Sequence, residues 1–420
     1  MSDWINPSID NACHILDNLR IPVSETERNK RNGNVPYYGA NGIQGYIDDY
    51  IFNEKLILLA EDGGNFEDYS MRPIAYRIDG YSWVNNHAHV LKAKIDFDID
   101  YIFYSLQHKN ILKHITGGTR GKLNQSELKS ITFECPSNFK EQKTIATILD
   151  TIDEAIDAAE AQLAKQEKIK QGLLQDLLTR GIDETGQIRP HWEDKPDLYK
   201  KTELGLVPLN WEINRLENLA LKIQDGTHFS PKTGNGQFLY ITSKNIKFGH
   251  IDLSNVETID EVQHAEIYRR CDVREGDLLL TKDGANTGNA AINTISEQIS
   301  LLSSVAFIRF DPDKDAAQFH LQYLLSQNGQ RRLKDLMSGN AITRLTLQKI
   351  RNFAVLRPTL IEQNTIIEIL SAADDDINIL RTEIRKLAHK KTGLMQDLLT
   401  GQRRVTQELV RQVETLTGPA

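Results

Sequence analysis

The chain repeats itself internally, and this repeat constrains its architecture more than any other feature of the sequence. Residues 141–179 align without a gap on residues 362–400, at a constant offset of 221, and 17 of the 39 aligned positions are identical. The repeat ends in GLLQDLLT at 172–179 and GLMQDLLT at 393–400. One structural unit therefore occurs twice, and each half is predicted to be a globular head followed by a long helix.

The repeat continues more faintly into the heads. Residues 56–65 (LILLAEDGGN) align with residues 277–286 (DLLLTKDGAN) at the same offset. The heads have diverged much further than the helices that follow them. This pattern indicates that the two heads perform different versions of one task.

The apolar residues of the two helices follow the period of a coiled-coil seam. In the second helix they are Ile366, Leu370, Ala373, Ile377, Leu380, Ile384 and Leu387, and in the first they are Ile145, Leu149, Ile152, Ile156, Ala159 and Leu163. We expect the helices to pair with each other. Pairing between two chains, or separate packing of each helix on its own head, are the alternatives.

A helix of this length would act as a spacer, because 39 residues span about 58 Å at 1.5 Å per residue. If a pseudo-two-fold axis relates the two halves, the helices run antiparallel. The heads contain short β-branched and aromatic runs at 56–60, 88–91, 238–241, 277–281 and 305–310, and helix-like stretches at 100–114 and 318–337. The predicted fold class is α+β, with two sheet-rich heads separated by two long antiparallel coiled-coil helices.

Positive charge is concentrated in the same region of both heads, although the formal net charge of the chain is −8. Residues 331–357 contain seven basic residues and one acidic residue, and residues 109–135 contain five and two. Binding to a nucleic-acid backbone requires such cationic patches. Solvated basic faces without a ligand are the alternative interpretation.

Polar side chains on glycine-bearing loops could read base edges, because Asn, Gln, Arg and Lys supply paired donors and acceptors. Such loops occur at 37–44, 117–122, 242–245 and 282–288. Each loop taken alone is typical of an ordinary turn.

The sequence lacks the motifs of several catalytic functions. It contains no GxxxxGK[ST] phosphate-binding loop and no Pro-Pro pair of the kind that marks an amino-methyltransferase site. His87 and His89 could hold a metal from one strand, but no further ligand spacing supports a metal site. We therefore expect no catalytic or metal residue in this chain.

The order of these motifs resembles the specificity subunit of type I restriction-modification systems. The resemblance rests on residues 37–66 and 83–91 of the first head, residues 202–216, 223–231, 268–291 and 344–358 of the second, and the two helix ends. It implies target recognition domains at 1–140 and 206–360, spacer helices at 141–180 and 361–401, a linker at 181–205 and a tail at 402–420. As a further hypothesis, the tail completes the first head in a circular arrangement.

The resemblance also implies partners and cofactors. Each domain would read one half of a bipartite, gapped double-stranded DNA sequence, and the helices would set the gap. Two methyltransferase subunits with S-adenosylmethionine would modify adenines, and two motor-nuclease subunits with ATP and Mg would cut. No cofactor is expected in this chain, which we expect to be cytoplasmic and not bound to a membrane.

Sixteen residues are candidates for DNA contact, either to the backbone or to bases. They are Tyr37, Asn41, Gln44, Asn85, His87, Thr119, Arg120, Lys122, Thr227, His228, Lys244, Asn245, Lys282, Asn286, Thr287 and Arg344. The alternative function is a coiled-coil adaptor whose heads bind proteins. An autonomous nuclease is disfavoured.

Overall fold

The computed structural model describes residues 3–118, 121–337 and 344–417, apart from the side chains of residues 414, 416 and 417. The chain forms two compact units, one comprising residues 1–162 and 380–420 and the other residues 163–379. Each long helix contributes one part to each unit. The sequence repeat therefore corresponds to two structural units, each built around a head.

The first unit has two four-stranded sheets, ordered β2-β9-β6-β7 and β4-β3-β8-β5. Its strands are β1 (Trp4–Ile5), β2 (Cys13–Ile15), β3 (Val35–Gly39), β4 (Gly42–Ile47), β5 (Phe52–Asn53), β6 (Leu56–Ala60), β7 (Ala75–Ile78), β8 (Tyr81–Val84), β9 (Ala88–Ala93), β10 (Ile115–Thr116), β11 (Lys122–Leu123) and β12 (Cys135–Pro136). Its helices are α1 (Ile9–Ala12), α2 (Glu25–Arg28), α3 (Ile99–Gln107), α4 (Gln125–Ser130) and the first part of α5 (Phe139–Thr179). Every residue of β6 is buried, as expected for a central strand.

The second unit repeats this plan with sheets ordered β16-β22-β19-β20 and β18-β17-β21. Its strands are β13 (Tyr199–Thr202), β14 (Gly205–Pro208), β15 (Glu212–Arg215), β16 (Ala220–Asp225), β17 (Phe238–Ile241), β18 (Glu257–Ile259), β19 (Leu278–Thr281), β20 (Ala290–Ile292), β21 (Ser300–Leu301), β22 (Val305–Phe310) and β23 (Ala354–Arg357). Its helices are the last part of α5, then α6 (Leu216–Leu219), α7 (Glu261–Tyr268), α8 (Ala317–Leu325), α9 (Gln327–Met337), α10 (Leu347–Arg351) and the first part of α11 (Leu360–Leu399). The helix α12 (Gln407–Thr417), in the tail, belongs to the first unit.

In each unit the two long helices pack against each other in opposite directions. In the first unit, Ile145 and Leu149 near the start of α5 share a buried core with Leu398 near the end of α11. In the second unit, Ile366 near the start of α11 shares a core with Leu177 near the end of α5. The seam residues thus form the buried face, and the expectation of an α+β fold with paired antiparallel helices is confirmed.

Two helices predicted in the heads are shorter than expected. The helix expected at 100–114 ends at Gln107, and the Asn110 side chain then accepts the Leu112 amide and begins a separate turn. The helix expected at 318–337 is interrupted at Ser326, whose extended backbone separates α8 from α9. Local polar capping therefore overrides the apolar pattern at both places.

The C-terminal tail packs on the first unit. Nε and Nη2 of Arg404 donate to Glu141 at 2.7 and 2.9 Å, and the Arg404 guanidinium lies 5.5 Å from the Trp4 ring centroid. Val405 packs against the core of the same unit. In the second unit Arg189, which follows α5, pairs in the same way with Glu362. Each head is thus joined to the segment that follows a long helix.

Candidate nucleic-acid interface

In the second unit a short backbone ladder fixes the loop at the end of the central strand β19. The Lys282 amide donates to the Ser304 carbonyl at 2.8 Å, and the Lys282 carbonyl accepts the Leu345 amide at 2.8 Å. Asp283 then forms an isolated antiparallel bridge with Arg344. The ladder therefore places Arg344, whose side chain is 50% exposed, beside the strand end.

The first unit has the same ladder at the end of β6. The Glu61 amide donates to the His87 carbonyl at 2.8 Å, and the Glu61 carbonyl accepts the Leu123 amide at 2.7 Å. Asp62 forms an isolated antiparallel β-bridge with Lys122, whose side chain is 48% exposed. We call this arrangement, with its one exposed basic residue, the strand-end site of each head.

A glycine follows the bridging aspartate in both strand-end sites. Gly63 has φ +63° and Gly284 has φ +95°. Residues with side chains rarely adopt this left-handed backbone, so each turn requires glycine. The DG pair that the two halves share in sequence therefore reflects a shared turn.

The structure brings the predicted loops of the first head to its strand-end site. The Asn41 side chain donates to the Gly63 carbonyl at 3.0 Å, and Gln44 accepts from Asn85 at 3.0 Å. The His87 ring lies 2.8 Å from an Asp62 carboxylate oxygen. Asn41, Gln44, His87 and Lys122 are exposed or partly exposed around this turn.

The predicted loops of the second head also meet. The Asn286 side chain donates to the Ser243 carbonyl at 3.1 Å, which joins the loop at 242–245 to the strand-end site. The Thr287 hydroxyl donates to the Gly284 carbonyl at 2.6 Å. Lys244 and His228 are exposed, and Asn286 and Thr287 are partly exposed. Thr119 and Arg120 lie outside the residues that the structure describes.

Five predicted contact residues are buried and engaged within the protein, so their assignment to direct DNA contact is corrected. They are Tyr37, Asn85, Thr227, Asn245 and Lys282. The Tyr37 hydroxyl accepts the Val23 amide and donates to the Val23 carbonyl. Asn245 accepts the Thr242 amide and donates to the Asp252 carbonyl, which stabilises its own turn.

Two of the remaining buried residues support their neighbours. Asn85 donates to Gln44 and accepts the His87 amide at 2.8 Å. The Thr227 hydroxyl accepts the Phe229 amide at 3.2 Å. Asn85 thus holds the candidates Gln44 and His87 in position, and Thr227 stabilises the bend that contains His228. Both are indirect roles.

Much of the basic window in the second head is also engaged internally. Arg332 donates to the Tyr323 hydroxyl and to the Ala354 carbonyl, both at 2.6 Å. Arg357 pairs with the buried Asp315 at 2.9 Å. The window as a whole is therefore not a free cationic patch, and Arg344 is the predicted contact within it that the strand-end site presents.

A buried carboxylate lies behind each strand-end site, and sequence reasoning missed both. Asp225 Oδ2 lies 3.2 Å from Lys282 Nζ. In the first head, Asp17 Oδ2 lies 2.7 Å from His89 Nδ1. Asp225 lies 14 residues after Trp211, and Asp17 lies 13 residues after Trp4. This similar spacing could have identified both aspartates from the sequence.

The Asp17 carboxylate is held in its charged form. Burial favours the neutral acid, but hydrogen bonds from His89 and the Val90 amide and the nearby Arg20 outweigh burial and lower the pKa of Asp17. Arg20 Nη1 also lies 2.7 Å from Glu61 Oε2. A chain of alternating charges therefore extends from Asp17 to Glu61.

The same cluster contains the three residues that come nearest to a metal site in the described part of the chain. The ligand atoms of Asp17, Glu61 and His89 lie within 4.8 Å of one another. Both His89 nitrogens are already engaged, with Asp17 and with the Leu123 carbonyl at 2.8 Å. An ion would have to displace these bonds, so the cluster is better described as a hydrogen-bonded charge network.

A family model described as the type I restriction modification DNA specificity domain matches residues 1–170 and again residues 208–389. The two matches together cover most of the chain and coincide with its two halves. The chain belongs to this family. Its internal repeat is thus a repeat of the specificity domain.

Relatives and solved structures agree with this membership. The chain is 28% identical, over 85% of its length and 81% of the relative's, to the type I restriction enzyme MjaVIII specificity subunit of Methanocaldococcus jannaschii. It is 34% identical over 145 residues to a putative type I specificity subunit of Haemophilus influenzae, covering 36% of that protein. The fold matches the S subunit from M. genitalium with a TM-score of 0.60 at 15% identity, covering 96% of this chain and 97% of that one.

As a member of this family, the chain is a DNA specificity subunit of a type I restriction-modification system. The adaptor alternative is not favoured. Among the described helices, even α5 and α11 lack an apolar stretch that could cross a lipid bilayer.

Proposed function

We propose that each head contacts one half of a bipartite, gapped double-stranded DNA site through its strand-end site. Lys122 in the first head and Arg344 in the second contact the phosphate backbone or a base edge. The observation that carries this proposal is the recurrence of one backbone ladder, with one half-exposed basic residue at the equivalent place, in heads that otherwise differ. Unlike loops around a shared turn allow each head to read a different sequence.

The exposed polar residues around each turn are the proposed base readers. Asn41, Gln44 and His87 serve the first head, and His228, Lys244, Asn286 and Thr287 serve the second. Amide and imidazole groups offer the donors and acceptors that base edges match. The rigid sheets behind the loops provide the fixed geometry that specific readout needs.

The chemistry of the complex belongs to other subunits in this proposal. Two methyltransferase subunits, carrying S-adenosylmethionine, dock on the long helices and methylate adenines at the N6 position. Two motor-nuclease subunits supply cleavage with ATP and Mg. The helices set the gap between the two half-sites, and the complex acts in the cytoplasm. The support for these partners is the family membership together with the paired helices of each unit.

The test is duplex binding by the full chain, co-purified with its methyltransferase subunit, over a range of salt concentrations. We expect Arg344→Ala to weaken binding and to lower the salt slope by about 1 if Arg344 contacts phosphate. If it reads a base instead, the loss is confined to one position of the second half-site, by about 1–3 kcal/mol. Lys122→Ala should act on the first half-site only.

Lys314→Ala is the matched control. Lys314 is an exposed lysine of the same head, and it follows β22 at the end opposite Val305, where the strand-end site lies. Its loss should leave affinity and salt slope unchanged. Equal effects of Arg344→Ala and Lys314→Ala would contradict the proposed contact, and failure of the wild-type complex to bind duplex would favour an adaptor.

A further inference from the structure

Lys282 and Asp225 form an enclosed ion pair directly behind the second strand-end site. Their exposed fractions are 2% and 3%, and the pair is 3.2 Å apart. The second carboxylate oxygen, Asp225 Oδ1, is buried without a hydrogen bond among the described atoms, and Arg270 lies 4.0 Å away. Desolvating such a pair is costly, and so is an unsatisfied carboxylate oxygen. A contribution to the stability of the fold is therefore a weak explanation for the presence of this ion pair.

The backbone of Lys282 is where this pair meets the DNA-facing surface. Its amide and carbonyl form the ladder that carries Leu345, and Arg344 immediately precedes Leu345. The Lys282 side chain points into the protein to Asp225 at the end of β16. Fixing that side chain therefore fixes the peptide groups of Lys282, to which the Leu345 amide is bonded. We call residues 344–347 the Arg344 segment.

The first head meets the same requirement with different side chains. Asp17 takes the place of Asp225, because Asp225 is the last residue of β16 and Asp17 follows β2. These two strands pair with the equivalent inner strands β22 and β9. Glu61 stands where the second head has Lys282. The partner of the carboxylate is now His89, whose two ring nitrogens bond Asp17 and the Leu123 carbonyl. The buried carboxylate is common to both heads, whereas the position of its side-chain partner differs.

We infer that Lys282, with Asp225, is a positioning residue that holds the Arg344 segment in its DNA-contacting place, and that the Asp17–His89 pair does the same for Lys122. This inference rests on the proposed function of the strand-end sites. In this inference Lys282 does not contact DNA, and the buried ion pair has a specific function, which is to position the Arg344 segment.

The first experiment measures hydrogen–deuterium exchange of the full chain with its methyltransferase subunit, without DNA. Lys282→Met removes the charge and keeps most of the side-chain length. We expect faster exchange at residues 345–347, because the Leu345 amide loses its fixed acceptor. Asp225→Asn, which keeps the shape of the carboxylate, should have the same effect and serves as the test if Lys282→Met does not fold. Unchanged exchange at 345–347 in a folded variant would overturn the inference, whatever the DNA results.

The second experiment measures duplex affinity of Lys282→Met, Arg344→Ala and the double variant. We expect Lys282→Met to weaken recognition of the second half-site by about tenfold or more, with the first half-site unaffected. If Lys282 acts through Arg344, the loss of affinity in the double variant is measurably smaller than the product of the two single losses. Where Arg344→Ala itself weakens binding, fully multiplicative effects, or faster exchange without loss of affinity, would overturn the inference.

Asp277→Asn is the matched control. Asp277 is also buried and ion-paired, with Arg309 at 2.7 Å, but it precedes β19 whereas Lys282 follows it. Its replacement should lower stability without changing exchange at 345–347. If Arg344→Ala itself has no effect on binding, the proposed contact is wrong, while the exchange result still decides whether Lys282 holds the segment.

Discussion

Replacing Glu362 should destabilise the second unit strongly, because this buried carboxylate satisfies three partners at the start of α11. Its oxygens accept two hydrogen bonds from Arg189, at 2.6 and 3.2 Å. They also accept the Trp211 indole and the Ile182 amide, both at 3.0 Å. Glu362→Ala removes the acceptor of the Trp211 indole and of the Ile182 amide. It also removes the counter-charge of Arg189, whose Nη1 still donates to the Arg180 carbonyl.

The magnitude follows from this geometry. Removing one partner of a buried pair costs about 3–5 kcal/mol. For a unit of this size, each kcal/mol shifts the melting temperature by about 2–4 °C. The second unit should therefore melt about 6–20 °C lower. Thermal unfolding of the full chain, followed by far-ultraviolet circular dichroism, measures the shift.

Glu368→Ala is the control on the same helix, because Glu368 is exposed. It should change stability by no more than about 0.5 kcal/mol. If Glu362→Ala shifts the melting temperature no further than Glu368→Ala, the carboxylate does not support the surrounding donors as described.

Three further perturbations test other parts of the structure. Arg404→Ala should destabilise the first unit by about 1–3 kcal/mol, because the buried Glu141 carboxylate loses two hydrogen bonds and the positive charge of Arg404, and truncation after residue 401 should cost at least as much in the same melting assay. Leu149→Ala should cost about 2–5 kcal/mol in chemical denaturation, since Leu149 is fully buried in the helix seam. The second unit should also lose stability as the pH falls from 7 to 4. Burial lowers the pKa of His320 from its usual 6.5, so the unfolded chain takes up that proton first below pH 6.5. Burial opposes the charged form of Asp315, but hydrogen bonds from His320 and Arg357 and the positive charge of Arg357 lower the pKa of Asp315 from 3.8. The stability that its ionised form contributes is therefore kept down to pH 4 and is lost only below pH 3.8. His320→Gln should flatten the upper part of this pH dependence, and an unchanged profile would contradict the assignment.

The helices and the duplication could be predicted because their signals are local and periodic. A four-three spacing of apolar residues identifies the face that needs a partner, and residues such as Ile366 and Leu370 are indeed buried there. The central strands were predictable for a similar reason, because continuous apolar runs such as 56–60 are typical of strands buried on both faces.

The candidate site was only partly predictable. Lys282 and Arg344 are both basic residues in turns, and nothing local distinguishes the buried one from the exposed one. Their difference depends on Asp225, which lies 57 residues before Lys282 in sequence and beside it in the fold. Burial of polar residues by distant partners is a tertiary property that periodicity does not encode. By contrast, Asn245 could have been recognised as a turn residue, because Asn commonly bonds its own backbone neighbourhood.

Methylation sequencing of DNA from a host that expresses this chain with its methyltransferase subunit tests the central claim most directly. Two unlike heads that each read DNA predict one bipartite motif, in which two short specified blocks flank an unspecified gap of constant length. Lys122→Ala and Arg344→Ala should each relax or abolish a different block. A single continuous motif, or a motif in which both variants affect the same block, would contradict the account.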